Sequence, residues 1–172
     1  MSEYYTEFSE LPHDEQMFIA QHVSDYTNGQ LGEKPQMLAV TPWDVLMKYL
    51  GYVVHQGDQF AGFVGATTPE SNDQGVAMCE VGTLWVPKEY RGLGYAHGLV
   101  NHVTESLFVH GALGFALVNS SSKQVFLDCQ YGLSGFPALP SSAILGCAAC
   151  TTPRLKGLCC DEVVIHEGGG SL

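Results

Sequence analysis

The spacing of apolar residues along the chain separates strands from helices. Between residues 76 and 86 most positions are apolar or β-branched, as in a buried strand. Leu99, Val103 and Leu107 then recur at helical spacing, and Gly111 follows them as a predicted C-terminal cap. The pattern predicts a strand, a short turn and a helix, and the remaining elements are arranged around this unit.

The segments before this unit are predicted to form one strand, two helices and two further strands. These elements lie at residues 4–8, 12–27, 41–51, 52–55 and 60–67. Thr41 and Pro42 support the second helix, because threonine is a good N-cap and proline fits the first helical position. Gly57 and Asp58 between the two strands are typical of a hairpin turn.

The segments after this unit are predicted to form a strand, a helix and two strands in the tail. The strand covers residues 114–119, and the helix runs from a cap in 120–122 to Tyr131, with Gly132 beyond it. The tail strands are predicted near residues 143–150 and 158–166, joined by a turn around Pro153. We find no repeat or linker, so residues 1–172 are expected to form a single domain.

Charge and composition narrow the classes of partner. Of the 172 residues, 45% are apolar, and the formal net charge is −11 with histidines neutral. Such a charge repels a nucleic-acid backbone, so no nucleic-acid partner is expected. No apolar run approaches the roughly 18 residues of a membrane span. The acidic N-terminus lacks the apolar segment of a signal peptide, so we expect no membrane association and a cytoplasmic location.

The six cysteines are expected to be reduced thiols packed in the interior. Cys147-x-x-Cys150 followed by Cys159-Cys160 superficially resembles a zinc site. Adjacent cysteines in a strand point to opposite faces, however, so Cys159 and Cys160 could not both reach one ion without distortion. No metal is therefore expected.

The turn between residues 91 and 96 has the chemistry of an anion site. The first amides of a helix lack intrahelical partners, and the helix dipole adds positive charge there. Gly92 and Gly94 let the backbone approach a phosphate closely, and Arg91 adds a planar donor fork. These features favour a pyrophosphate. His97 rules out a dinucleotide fingerprint, and the Gly-Lys-Ser/Thr of a Walker loop is absent.

The pattern Arg-x-x-Gly-x-Ala, from Arg91 to Ala96 after a strand ending at Val86, resembles the acetyl-CoA-binding motif of the GCN5-related N-acetyltransferases (GNAT). The phrase LWVPKEYRGLG at residues 84–94 is similar to that family's strand-to-helix junction, although Pro87 stands one residue earlier than is usual there. The resemblance implies an α/β (α+β) fold with a mixed, mostly antiparallel central sheet and helices on both faces.

The resemblance also implies the residues that would hold coenzyme A. In the family the central strand separates from its neighbour after a bulge, and its free backbone groups bind the pantetheine arm. Gly82 is a candidate for that bulge, although it could equally be an ordinary strand glycine. The implied coenzyme contacts are Leu84, Trp85, Val86, Arg91, Gly92, Leu93, Gly94, Tyr95, Ala96, Asn119, Ser122 and Phe126.

Glu80 is the candidate general base, because the family often has a glutamate eleven residues before the arginine of its motif. A carboxylate between Cys79 and Val81 in an apolar strand is expected to have a raised pKa, which suits a base near neutrality. The alternative is a glutamate that forms an ion pair or faces solvent at the strand end.

The general acid is less well defined by the sequence. Phe126 stands where the family usually places a tyrosine, and phenylalanine cannot donate a proton. Tyr131 lies further along the predicted helix and could serve as the acid if that helix is shifted. The alternative for Tyr131 is a buried aromatic residue at a helix end. Without an acid, the thiolate could leave unaided.

The resemblance implies an acetyl-CoA-dependent N-acetyltransferase that acts by direct attack in a ternary complex. The expected acceptor is a small-molecule or peptide amine, its pocket shaped by the loop at residues 28–40, and a homodimer is left open. A non-catalytic acyl-CoA-binding module is the first alternative, because Phe126 departs from the family pattern. A GNAT toxin acting on aminoacyl-tRNA is the second, and seven basic against eighteen acidic residues argue against it.

Overall fold

The computed structural model describes residues 2–35, 37, 39–148 and 162–168. Its strands are β1 (Glu3–Glu7), β2 (Leu50–Gln56), β3 (Gln59–Ala66), β4 (Glu70–Ser71), β5 (Ala77–Trp85), β6 (Leu113–Val118), β7 (Tyr131–Ser134) and β8 (Glu162–His166). Its α-helices are α1 (His13–Thr27), α2 (Pro42–Leu46), α3 (Tyr95–Val109), α4 (Lys123–Asp128) and α5 (Ser141–Ala148).

The described strands form one eight-stranded mixed sheet. Seven strands follow the order β1-β2-β3-β5-β6-β8-β7, and the short β4 pairs with β5. The pairing of β5 with β6 is parallel, whereas the other pairings are antiparallel. This confirms the mixed, mostly antiparallel sheet. In the described part of the chain, no helix has the length and apolar character to cross a membrane.

The two faces of the sheet bury separate apolar cores. Val54 faces α3 and packs with residues such as Leu99, whereas its neighbour Val53 packs with Ile19 and Val23 of α1. This alternation follows from the period of two in a strand. Fully burying an aliphatic side chain contributes about 1.5–3 kcal/mol, so both helix layers are held firmly on the sheet.

The central strands β5 and β6 separate part-way along their length. Their parallel register runs from Met78–Leu113 to Glu80–Phe115 and ends there, while β5 continues to Trp85. On its other side β5 carries a bulge against β3, because Thr83 and Leu84 together oppose one residue of β3. Thr83 has a φ of +56°. The bulge thus lies directly after Gly82, in the stretch of β5 beyond its pairing with β6.

The prediction for the tail of the chain is wrong in its first half. Residues 143–150 were expected to form a strand, but α5 spans Ser141–Ala148. The run Ala143-Ile144-Leu145 is apolar enough for either element, and Pro140 followed by two serines starts a helix. The last strand is present as β8, while the turn at Pro153 and residues 158–161 lie outside the described residues.

The helix predicted to reach Tyr131 is also shorter than expected. It covers Lys123–Asp128, and Gln130 adopts a left-handed conformation with φ of +65°. Gln130, rather than Gly132, therefore ends the helical path. Tyr131 begins β7, an edge strand that the sequence pattern did not predict.

Candidate active site

A cleft of about 520 Å³ opens where β5 and β6 separate. One wall runs along β5 from Glu80 to its end and includes Val86 beyond it, and the opposite wall comes from β6, α4 and the turn between them. The opposite wall consists of Leu117, Asn119, Ser121, Ser122, Val125 and Phe126. Arg91 and Ala96 lie at one end, and Tyr26, Met37, Val40 and Lys48 complete the lining. Met37 and Val40 belong to the loop that was expected to shape the acceptor pocket.

The N-terminus of α3 provides an open set of backbone amides. Its N-cap is Gly94, which has φ of +87° and no side chain with which to cap the helix. The first amide that bonds back is that of Gly98, which donates to the Gly94 carbonyl over 3.1 Å. The first turn carries no acidic residue that would compete with an anion. This arrangement favours a phosphate ligand.

Arg91 is held between the end of β5 and the loop that follows α1. Its Nε donates to the Val86 carbonyl over 2.9 Å, and its guanidinium donates to the Glu33 carboxylate over 2.6 Å. The Arg91 side chain is 46% exposed, so this ion pair is screened by water and adds little stability. A phosphate that binds Arg91 must share the guanidinium with Glu33 or displace it.

The predicted coenzyme contacts fall into two groups. Those whose side chains or backbone line the cleft are Leu84, Trp85, Val86, Arg91, Ala96, Asn119, Ser122 and Phe126. Gly92, Leu93 and Gly94 are exposed on the turn outside it, where their contribution would come from backbone geometry. Tyr95 is only 3% exposed and packs in the core under α3, so only its amide faces the turn.

Asn119 organises the turn between β6 and α4. Its Oδ1 accepts hydrogen bonds from the Ser121 amide over 3.0 Å and from the Ser121 hydroxyl over 2.6 Å. The Ser122 amide donates to the same oxygen over 3.3 Å. The residue is 4% exposed, so these bonds satisfy a buried carbonyl and fix the wall that faces β5.

Glu80 lies where the two central strands part. Its amide donates to the Thr67 hydroxyl over 2.9 Å, and its carbonyl accepts from the Thr67 amide over 3.0 Å. The carboxylate lies above Gly82, where an added Cβ would stand 3.8 Å from Oε1. Burial raises the pKa of Glu80, and the nearby Lys48 ammonium partly offsets that increase. The backbone of Glu80 is therefore held at the cleft, and its pKa is shifted in the direction expected from the sequence.

Lys48 and Tyr26 also line the cleft, and the sequence analysis did not identify them. Burial lowers the pKa of Lys48, whereas Glu80 and Asp44 raise it. Tyr26 stacks on Trp85 with ring centroids 4.8 Å apart. Neither residue belongs to a recognisable motif, because their place in the cleft depends on how α1 and α2 pack on the sheet.

The sequence matches the model of a known protein family. A model described as the acetyltransferase (GNAT) family matches residues 13–129, which run from α1 to the end of α4. The chain belongs to the GNAT acetyltransferase family. No curated protein matches this GNAT chain significantly by sequence.

Solved GNAT structures share the fold at low sequence identity. An acetyltransferase of the GNAT family from Staphylococcus aureus is 11% identical with a TM-score of 0.63, over 96% of this chain and 98% of that chain. A GNAT N-acetyltransferase from Escherichia coli in complex with CoA is 16% identical with a TM-score of 0.58, over 97% and 82%. N-acetylglutamate synthase from Neisseria gonorrhoeae, complexed with coenzyme A and N-acetyl-glutamate, is 13% identical with a TM-score of 0.67, over 95% and 35%.

The structure of this GNAT protein places Tyr131 away from the cleft. Tyr131 is 2% exposed in the core, and its hydroxyl lies 2.8 Å from the Thr104 hydroxyl. Thr104 uses its only hydroxyl proton on the Val100 carbonyl, so Tyr131 must donate to Thr104. Burial raises the pKa of Tyr131 strongly. This proton points into the core, and we therefore do not retain Tyr131 as the acid in the function proposed below.

Removing the Tyr131 hydroxyl tests this placement. Tyr131→Phe is expected to lower the free energy of unfolding by about 1 kcal/mol, because one buried hydrogen bond is lost. Turnover with an acceptor amine should stay within about threefold of the parent. Urea unfolding and thiol release from acetyl-CoA measure the two quantities. A loss of turnover of 100-fold or more in a folded variant would restore Tyr131 as a candidate acid.

The structure of this GNAT protein places Phe126 at the cleft, and it places Cys79 and Cys129 in the interior. Phe126 lines the cleft and packs edge-on against Tyr131, with ring centroids 5.1 Å apart. Cys79 and Cys129 are buried, and burial raises the pKa of each thiol to about 11. Cys150, Cys159 and Cys160 lie outside the described residues, so the absence of a metal in the tail stays a prediction.

Proposed function

We propose that this GNAT protein transfers an acetyl group from acetyl-CoA to the amine of a small molecule or peptide, by direct attack in a ternary complex. The observation that carries the proposal is the half-buried Glu80 carboxylate with its raised pKa, at the point where β5 and β6 separate. A carboxylate whose pKa is raised is better suited than an ordinary glutamate to remove a proton from an acceptor ammonium.

Two features of the chain fit coenzyme A. The open amides at the start of α3, together with Arg91, would hold the pyrophosphate. The end of β5 beyond Glu80, which β6 does not pair in the described structure, would bind the amide groups of the pantetheine arm. Asn119 and Ser122 face this strand across the cleft. When bound, acetyl-CoA supplies the thioester carbon that accepts the amine.

The protein's own residues then have two tasks. Glu80 accepts the proton that the ammonium must lose before its nitrogen can attack. Backbone donors at the end of β5 would stabilise the negative charge that develops on the carbonyl oxygen. Phe126 has no proton to donate, and the Tyr131 hydroxyl is bonded to Thr104 in the core, so the thiolate is proposed to leave unaided and to take a proton from solvent.

Thiol release from acetyl-CoA in the presence of an amine panel tests the proposal. Acceptor-dependent release, together with a product heavier than the amine by one acetyl group, is expected from an acetyltransferase. A non-catalytic acyl-CoA-binding protein is the second candidate, because Phe126 occupies the cleft where a proton donor would be useful. That alternative predicts calorimetric binding of coenzyme A without release of thiol by any amine in the panel.

A further inference from the structure

Lys48 is a cation built into the cleft. It follows α2, whose start is fixed by a capping box between Thr41 and Asp44. The aliphatic part of Lys48 lies directly on β3, because a Cβ added at Gly65 would stand 2.8 Å from its Cγ. Gly65 is the partner of Gly82, two residues from Glu80. The side chain is therefore positioned by packing on the sheet beside the candidate base, and is not a free surface lysine.

The charge of Lys48 has no close acidic partner among the described residues. No carboxylate oxygen in that part of the chain lies within 4.0 Å of its ammonium. Asp44, one helical turn earlier, is directed to the helix start, where Oδ2 accepts from the Thr41 amide and the Thr41 hydroxyl, each over 2.7 Å. Glu80 shares the cleft with Lys48 without forming an ion pair with it at that distance.

An anionic ligand would stabilise an ammonium group that is held in this way. Removing a charge from water is costly unless it is paired, and polar groups that converge in a cleft commonly fix the orientation of a ligand. The phosphates of coenzyme A have their own site at Arg91 and the start of α3. Lys48 comes instead from the chain before β2, as do Tyr26, Met37 and Val40 of the cleft lining, and its stem packs on β3.

We propose that Lys48 binds a carboxylate of the acceptor, so that the acceptor is an amino acid whose amine faces Glu80 while its carboxylate faces Lys48. This inference rests on the proposed acetyltransferase function. Both charges of such a zwitterion then meet an opposite charge in the cleft. The apolar surface of Tyr26, Met37 and Val40 would cover its side chain. Lys48 has the role of a specificity-determining residue.

Matched acceptors that differ only in the carboxylate test this assignment. The common amino acids are compared with their amides and with the corresponding decarboxylated amines, by thiol release from acetyl-CoA. Because these amines differ in intrinsic reactivity, the decisive quantity is the acid-to-amide ratio of kcat/KM in each variant, relative to the ratio in the parent. In Lys48→Met this ratio is expected to fall about tenfold or more, mainly through KM. Lys48→Arg should keep most of it.

Lys123→Met is the control, because it removes a half-buried lysine that pairs with Glu162 over 2.7 Å outside the cleft lining. Its acid-to-amide ratio should equal that of the parent. If Lys48→Met lowers kcat/KM equally for acids and amides, Lys48 acts only through Glu80, and the inference is wrong. If thiol release by the parent does not depend on whether the acceptor carries a carboxylate, the inference about Lys48 is wrong, but the proposed acetyltransferase function stands. Absence of release with every amine, while coenzyme A still binds, would overturn the proposed function itself.

Discussion

Glu80→Gln is expected to lower turnover by about 10²–10⁴-fold, the loss usual when a general base is removed. Glutamine keeps the size of the side chain and its place above Gly82 but cannot accept a proton. An acceptor amine is mostly protonated at neutral pH, so the variant depends on the small neutral fraction. Part of the rate should return at high pH, where solvent deprotonates the amine. Initial rates of thiol release across pH measure both effects.

Two controls separate the chemistry of Glu80 from a general disturbance of the protein. Coenzyme A affinity measured by calorimetry should barely change in Glu80→Gln, because no coenzyme contact is assigned to that side chain. Glu105→Gln removes an exposed carboxylate from α3 and should turn over like the parent. If Glu80→Gln also turns over like the parent at neutral pH with a good acceptor, then Glu80 is only a residue of the strand.

The pH dependence of the parent follows from the direction of the Glu80 pKa shift. The base must be ionised, so kcat/KM falls as pH drops through its pKa. Burial raises that pKa above the ordinary 4.5, and the acidic limb of the profile should therefore lie above pH 4.5. Lys48 lowers the pKa of Glu80, so Lys48→Met should move the limb to higher pH.

Gly94→Asp is expected to weaken coenzyme A binding by more than tenfold, about 1.4 kcal/mol. Gly94 is the N-cap of α3 with φ of +87°, a conformation that strains any residue with a side chain. The added carboxylate would also stand beside the amides assigned to the pyrophosphate and repel it. Calorimetric titration with coenzyme A measures the loss.

Gly75→Asp is the matched control for this substitution. Gly75 has φ of +76° and open space where a Cβ would be added, as Gly94 has, but it lies in the loop before β5 and does not line the cleft. The two variants should lose similar stability, whereas only Gly94→Asp should lose coenzyme affinity. Equal affinity in a folded Gly94→Asp variant would remove the assignment of the turn to phosphate binding.

The strand, turn and helix at the centre of the fold were predictable because each leaves a local signal. The apolar run of β5, the glycines of the turn and the helical spacing from Leu99 to Leu107 do not depend on distant contacts. The position of Glu80 at the cleft follows from the same segment. The sequence left open whether Gly82 marks a bulge, and the bulge lies at the next two residues, Thr83 and Leu84.

Other features depend on contacts that a sequence pattern does not encode. Lys48 reaches the cleft because β3 has no side chain at Gly65, which is distant in sequence but in contact in space. Tyr131 was placed on a helix because residues 120–122 can cap one and Gly132 can end it, but Gln130 turns the chain into β7. A short apolar run such as that of α5 fits a strand or a helix equally well until its packing is known.

The separation of β5 from β6 has a consequence for hydrogen exchange. The middle strand of a sheet ordinarily contains the slowest-exchanging amides of a protein, because both of its edges are bonded. In β5 the residues around Cys79, before Glu80, are paired with β6. Among the described residues, no strand pairs with the stretch beyond Glu80 towards Trp85 on the edge that faces β6. Slow and fast amides would thus be neighbours on one central strand, and a ligand that bonds to the open edge would slow the fast ones.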